Sequence, residues 1–319
     1  MTQGRVCVVG SFMMDLIVRA PRRPLPGETV VGSSFSTFLG GKGFNQAVAA
    51  VRAGARTAMV GRVGNDDYGR RFIEHLSREG IDHDFVLLDE QEGTGIGLPL
   101  VEDSGENSIV IVPRCNMRVS VDDVRAARSV IAASDVVLLQ LELSVDVASE
   151  AAALARKNGA RVILNPAPAP ADVTQLERLR GLVDVLVPNE TEAGQLMGRE
   201  ASPDAAGLAE GLRRRFNCDV VVTLGNQGAL VLDSAGVYPA GPHTVPVVDT
   251  VGAGDAFCGT LGAWLAQGSS LREAVRFANA AGALAVGTPG AEPAMPTREA
   301  IIGLADGRAS VSPGLRVTT

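Results

Sequence analysis

At 319 residues, with 46% hydrophobic and 20% charged residues, the chain has the make-up of an ordinary globular protein able to bury a large core. A net charge of −7, a pI near 5.1 and only 4% aromatic residues argue against the basic, base-stacking surfaces of a nucleic-acid binder. Four cysteines (Cys7, Cys115, Cys218, Cys258) and three histidines (His75, His83, His243) lack metal-ligand spacing, so neither a zinc nor a redox centre is expected. No apolar run reaches the roughly 18 residues of a membrane span, and the first residues lack a secretory pattern. The expectation is a reduced, cytoplasmic protein with neither a membrane nor a nucleic-acid partner.

In chain order, short apolar runs at 6–9, 57–61, 136–140, 161–165, 183–187 and 219–224 read as strands buried on both faces. Amphipathic stretches at 42–54, 67–80, 121–133, 144–159, 189–197, 203–216 and 271–286 read as helices, with Gly54, Gly80 and Gly159 placed as left-handed caps. This alternation predicts an α/β fold, a doubly wound, mainly parallel sheet flanked by helices. Two regions, 16–39 and 94–112, break the rhythm with β-rich, turn-rich sequence and no helix. They predict a small antiparallel sheet standing off the main one, either an edge hairpin or a lid, with one turn at 103–106. No linker divides the chain. One domain over 1–305 is expected, its lid built from about 12–39 and 94–112, followed by a flexible tail over 306–319.

Polar residues punctuate the carboxyl ends of the expected strands, where open α/β sheets place their ligands. Asp15 follows the first strand, and Glu142 follows the apolar run at 138–141. In Gly40-Gly41-Lys42-Gly43-Phe44-Asn45-Gln46 the glycines free the backbone to wrap a small ligand, while Lys42 and Asn45 supply donors. Two carboxylates beside a lysine and an amide suit a polyhydroxylated ligand such as a sugar. Taken singly, each also fits a plain turn, a cap or a solvated loop. Asn189 and Glu192 have capping-box spacing, and alternatively could reach a nucleotide-bound magnesium ion through water. Thr223, Gly225 and Gly228 end another strand in a turn suited to walling a nucleotide.

The segment 248–257, VDTVGAGDAF, is the most informative. Gly252, Ala253 and Gly254 let backbone N–H groups at a helix start approach developing phosphate charge, with the helix dipole assisting. Asp255 in the same turn would repel phosphate as a ligand, yet it makes sense as a base toward an attacking hydroxyl. The alternative is an acidic residue at the favourable end of a helix.

In this order, LPGETV at 25–30, GGKGFNQAVAA at 40–50, QLE at 140–142, LNPAPA at 164–169, PNETEA at 188–193, VTLGNQGA at 222–229 and VDTVGAGDAF resemble the ribokinase-like (PfkB) carbohydrate kinase family. The resemblance spans about Val6 to Pro296. It implies Asp255 as general base, with Gly252, Ala253 and Gly254 as the anion hole, and Asp15, Met13, Gly41, Lys42, Asn45 and Glu142 on the sugar. It assigns Asn189, Thr223, Gly225, Gly228 and Asn279 to the nucleotide, and Asn189 with Glu192 to Mg²⁺, largely through water. A monovalent cation, K⁺, is implied at Asp249, Val251, Ala285, Thr288 and Gly290, mainly through backbone oxygens. The implied reaction transfers the γ-phosphoryl group of Mg·ATP to O5 of D-ribose, in a homodimer formed through the lid. Other acceptors on the same scaffold are 2-deoxyribose, a ketose or a nucleoside; a non-catalytic sugar- or nucleotide-binding protein is the distant alternative. Three positions depart from the family pattern: Met13 for Asn, Arg114-Cys115-Asn116 for Gly-Ala-Asn, and Ala294 for Ser. The first two bear on the acceptor, since a thioether lacks an amide's hydrogen bonds and arginine adds bulk and charge near the sugar.

Overall fold

A computed structural model describes residues 3–104, 106–199 and 204–308 of the protein. Its strands are β1 (Arg5–Val9), β2 (Met13–Ala20), β3 (Ser34–Gly40), β4 (Arg56–Gly64), β5 (Asp82–Asp89), β6 (Gly95–Glu102), β7 (Asn107–Val112), β8 (Val136–Leu139), β9 (Arg161–Leu164), β10 (Val185–Leu186), β11 (Asp219–Thr223), β12 (Ala229–Asp233) and β13 (Gly236–Ala240). The helices are α1 (Lys42–Arg52), α2 (Asp67–Glu79), α3 (Val121–Ala126), α4 (Arg128–Ala132), α5 (Val145–Lys157), α6 (Glu190–Leu196), α7 (Ala205–Phe216), α8 (Ala253–Ala266), α9 (Leu271–Ala285) and α10 (Arg298–Ala305).

Nine strands form the main sheet in the order β13-β12-β11-β10-β9-β8-β1-β4-β5. It is parallel from β5 to β11 and antiparallel only through β12 and β13. The apolar runs are buried on both sides because successive side chains feed different layers. Val6 and Val8 enter the core under α1, α2, α8 and α9, whereas Cys7 and Val9 enter the one under α3, α5 and α7. From β1 the chain winds outward through β4 and β5, and from β8 it winds the other way through β9 to β11. The winding reverses between β1 and β8, which pair at Val9 and Leu139, so the crevice expected of such a reversal opens at their carboxyl ends.

Every expected strand is present. Three further strands of this sheet lie outside the expected runs, although β5 and β12 carry short apolar runs at 85–88 and 229–232: β5 is a half-exposed edge, and β12 and β13 make an antiparallel hairpin. The helix expected over 121–133 is interrupted at buried Ala127, whose ψ of 8° leaves the helical range. Asp204 caps α7; Pro203, the turn residue Gly105 and tail residues 309–319 lie outside the described residues.

The two regions expected as a hairpin or lid form a second sheet, β3-β2-β6-β7. Two antiparallel pairs, β2 with β3 and β6 with β7, join through a parallel pairing of β2 and β6. No described helix is long and apolar enough to cross a membrane.

Close packing of α1 against α8 positions the site. A Cβ on Gly259 would lie 2.5 Å from both the Ala49 Cβ and the Gln46 carbonyl oxygen. Only glycine permits this approach, which brings the first turn of α8 against that of α1.

Candidate active site

Seven helices begin with a side chain that accepts from a first-turn amide: Asp66, Ser120, Ser144, Asn189, Asp204, Ser270 and Thr297. Helix α8 does not. Its N-cap is Gly252, with φ 80° and no capping side chain, and a Cβ there would lie 3.0 Å from Ala291 Cα and Met295 Cε. An uncapped, dipole-bearing helix start with a small-residue rim can receive an anion. No atom lies near a Cβ built on Gly254, so this side of the turn is open.

Within that first turn, Asp255 is 7% exposed. Its Oδ2 accepts from Asn45 Nδ2 at 2.9 Å and its Oδ1 from Gln46 Nε2 at 3.1 Å. Burial raises its pKa, while Lys42 and the two amide donors oppose that rise. Lys42, half-buried beside it, loses hydration to burial, but Asp255, Glu142 and Glu192 outweigh this and raise its pKa.

The other predicted sugar ligands converge here. Gly41, with φ 94°, runs against the backbone at Phe12 and Met13, where a Cβ would lie 2.7 Å from Met13 N. The GGKG segment is therefore a steric requirement of this packing as well as a turn. Glu142 accepts from the Ser11 hydroxyl and, at 2.9 Å, from the Lys42 amide, so it ties the end of β8 to the start of α1. Asp15 on β2 sits between Gly40 and Gly97, at either of which a Cβ would collide with its carboxylate. Burial, then the charges of Glu142 and Asp255, push its pKa up to about 7. The Asn45 Oδ1 is buried without a donor among the described residues.

Met13 is buried, with its sulfur 3.8 Å from Asn116 Nδ2. Asn116 also fastens the Phe12 backbone, accepting from its N–H at 2.9 Å and donating to its carbonyl at 2.8 Å. Arg114 adopts φ 48°, the left-handed region glycine favours, where the family pattern has glycine. Its guanidinium donates to Thr94 O at 3.0 Å and lies 3.9 Å from Asp66. The expected bulk and charge are thus engaged with the 93–94 loop and Asp66.

Among the residues that the resemblance assigns to the nucleotide, an isolated parallel bridge pairs Asn189 with Thr223. Asn189 and Glu192 form a complete capping box, at 2.8 and 2.9 Å. Gly225 and Gly228 flank the turn after β11, and a Cβ on Gly228 would lie 3.0 Å from Asn279 Nδ2. Asn279 donates to the Ala240 and Gly241 carbonyls at 3.0 and 2.8 Å. At the implied cation loops, Asp249 accepts from Val251 N at 3.0 Å and Gly290 N at 2.9 Å, while Thr288 N donates to Ala285 O at 3.3 Å. Asp249 therefore locks together the loops that carry these residues.

The sequence reading missed four polar groups of this cluster: Gln46, which donates to Asp255, Gln140 and Asn165, which bond Gln46, and Ser11, which donates to Glu142. Their signal was present, since Gln46 belongs to GGKGFNQ, Gln140 to QLE and Asn165 to LNPAPA. Among the described residues, one cluster has ligating groups close enough for a metal: His75, Glu79 and Glu292. Arg52 already bridges both carboxylates, and a metal ion would have to displace its guanidinium.

Comparison with known proteins agrees with this architecture. The chain matches the family of pfkB carbohydrate kinases over residues 3–298. It is 38% identical over 300 residues to the ribokinase of Mus musculus, covering 92% of each chain. It is 31% identical over 296 residues to the deoxyribokinase of Salmonella typhi, covering 92% of this chain and 96% of that one. Arabidopsis thaliana ribokinase, solved with ribose and ATP, superposes with a TM-score of 0.84 at 31% identity, over 95% of this chain and 99% of that structure. The chain belongs to the pfkB family of carbohydrate kinases, phosphotransferases whose acceptor is an alcohol group.

Proposed function

We propose that the protein transfers the γ-phosphoryl group of ATP to the 5-hydroxyl of D-ribose. The observation that carries this reading is the buried Asp255 carboxylate, held by Asn45 and Gln46 in the first turn of the uncapped helix α8. In this reading Asp15, Gly41, Lys42, Asn45 and Glu142 hold the sugar, and the unpaired Asn45 Oδ1 accepts from a sugar hydroxyl. Asp255 takes the proton of the attacking hydroxyl. The amides of the Gly252–Gly254 turn stabilise charge on the transferring group, at a site that needs little reorganisation. Thr223, Gly225, Gly228, Asn189 and Asn279 form the nucleotide side.

The hard oxygen donors of Asn189 and Glu192 fit a water-mediated Mg²⁺, whose role is to neutralise phosphate charge. One Glu192 oxygen is engaged in the capping box, which leaves the other for a bridging water. The loops joined by Asp249 fit K⁺ through oxygens of Asp249, Val251, Ala285, Thr288 and Gly290; alanine at 294 supplies no hydroxyl. We assign a single functional unit to 1–305, with 12–39 and 94–112 as lid. The exposed apolar side chains of β7 support a homodimer through that lid. Four unpaired, buried thiols suit a reducing cytoplasm.

Met13 favours a second acceptor, 2-deoxyribose, because a sugar lacking a hydroxyl does not miss an amide partner. The test is ADP release with ribose, 2-deoxyribose, ketoses and nucleosides, each with and without K⁺. The expected order places ribose first and 2-deoxyribose second. No sugar-stimulated turnover would return the protein to the binders, and a nucleoside kcat/KM far above that of ribose would overturn the acceptor.

A further inference from the structure

We propose that Gln46 and Asn165 are positioning residues, forming a hydrogen-bonded relay that holds Asp255 ionised and couples it to the Val187–Asn189 turn on the nucleotide side. The proposal rests on the reading of Asp255 as the base.

The relay has a direction, set by what each group can do. The Val187 carbonyl can only accept, and it takes a hydrogen bond from Asn165 Nδ2 at 2.9 Å. That fixes the Asn165 amide, so its Oδ1 faces Gln46. Facing an acceptor, Gln46 must present its Nε2, which lies 3.3 Å from Asn165 Oδ1 and 3.1 Å from Asp255 Oδ1. At its other end, Gln46 Oε1 accepts from Gln140 Nε2 at 2.6 Å. The same orientation is thus imposed from both sides.

Gln140 shows what the arrangement costs: its Oε1 is buried with no donor. Turning both glutamine amides over would leave Gln140 Oε1 facing Gln46 Nε2, but would set Gln46 Oε1 against the Asp255 carboxylate and Asn165 Oδ1. Gln46 is fully buried, so no water substitutes for the donor it supplies. The relay ends two residues before Asn189, the N-cap of α6 and the bridge partner of Thr223. A shift of that turn is therefore transmitted through two amides to the base.

Asp255 also faces Lys42 from α1, Glu142 after β8 and Asp15 on β2. None of these is hydrogen-bonded to Gln46 or Asn165 among the described residues, so variants in the relay leave them in place. The profile to measure is kcat against pH with sugar and ATP saturating, where it reports the base in the ternary complex.

Gln46→Leu is expected to move the acid limb up by about one pH unit while the plateau stays within about tenfold, because a donor to the charged form is lost. Gln46→Glu should move it further in the same direction. Asn165→Leu should move it by about half a unit and raise KM for ATP about threefold or more, leaving KM for the sugar unchanged within about twofold, since the turn is freed but Gln46 remains. An acid limb that stays in place in the folded Gln46→Leu and Asn165→Leu variants would overturn the relay, whatever happens to the plateau. Should Gln46→Leu not fold, Asn165→Leu at its half-buried site carries the same readout. Asp255→Asn separates the two readings: near-normal turnover there sinks the base itself, whereas a dead Asp255→Asn beside an unmoved Gln46→Leu sinks only the relay.

Discussion

The seam between α1 and α8 and the small lid sheet are built on opposite principles. The seam is determined several times over: Gly259 sets its spacing, and two amides grip Asp255. In the lid, Phe35, Ile109 and Val110 are 63%, 54% and 61% exposed, and β3 and β7 are unpaired edges. Asp15 stands where the two meet, on a lid strand but within the field of Glu142 and Asp255. In the proposed reading the chemistry is thus held at the seam, while acceptor choice falls to a sheet whose exposed edges are open to pairing with another surface.

The contrast is broken most completely at the base. Asp255→Asn keeps the size of the side chain but removes proton acceptance and turns an NH2 toward one of the two amide donors, and kcat should fall by roughly 10²–10⁴-fold, as expected for a lost general base. Steady-state turnover with a binding measurement for the sugar checks it: binding should persist. At the junction, Asp15→Asn should raise KM for the sugar by about 10- to 100-fold, since a charge-assisted acceptor is lost.

Asp15 also gives a pH signature whose sign follows from its pKa of about 7 against an ordinary 3.8. The folded chain holds this proton more tightly than the unfolded chain, so the contribution is full below about pH 3.8 and is lost as pH rises through 7. Above pH 7 the ionised, half-buried carboxylate is a net burden. Asp15→Asn should therefore raise stability at pH 8 by about 1–3 kcal/mol, and by less at pH 5, in urea unfolding. In the wild type, KM for the sugar should fall as pH rises through 7 and Asp15 becomes an acceptor.

The same division explains what could be read in the amino-acid sequence. The parallel core was legible because strands buried on both faces leave continuous apolar runs, as at 6–9 and 136–139. β13 alternates between half-buried and exposed positions, and the apolar run of β5 at 85–88 is short and follows three polar residues; both were missed. Site segments were legible where glycine and charge coincide, as in GGKG and GAGD. The roles of Gln46 and Asn165 were not, although both lie in the quoted segments, because they resemble ordinary helix and loop residues until the fold sets Gln46 against Asp255 and Asn165 against Gln46. Arg114 was legible as a departure but not in its outcome, since only the structure shows its guanidinium on Thr94 and Asp66.

A third substitution tests how tightly the seam is determined. Gly259→Val places branched carbon against Ala49 and the Gln46 carbonyl, which are backbone-anchored and cannot swing aside. Overpacking should cost about 1–3 kcal/mol in urea unfolding. It should also lower kcat while KM for ATP changes little, because Asp255 moves relative to Asn45 and Gln46.

The smallest expected effect belongs to the lid. Val110→Lys puts a charge on an exposed strand, where no packing is lost, so unfolding of the monomer should change by no more than about 0.5 kcal/mol. If the lid's apolar face is covered by a second copy, that charge is buried without a partner, and the dimer should weaken by at least about tenfold in sedimentation equilibrium. The seam makes no such demand: its residues are buried within one chain, so kcat at saturating substrate should be nearly unchanged in the dissociated variant. A loss of kcat in step with dissociation would show that the lid of one copy completes the site of the other. The separation between a rigid reaction centre and an adjustable lid would then fail at the point where the two sheets meet.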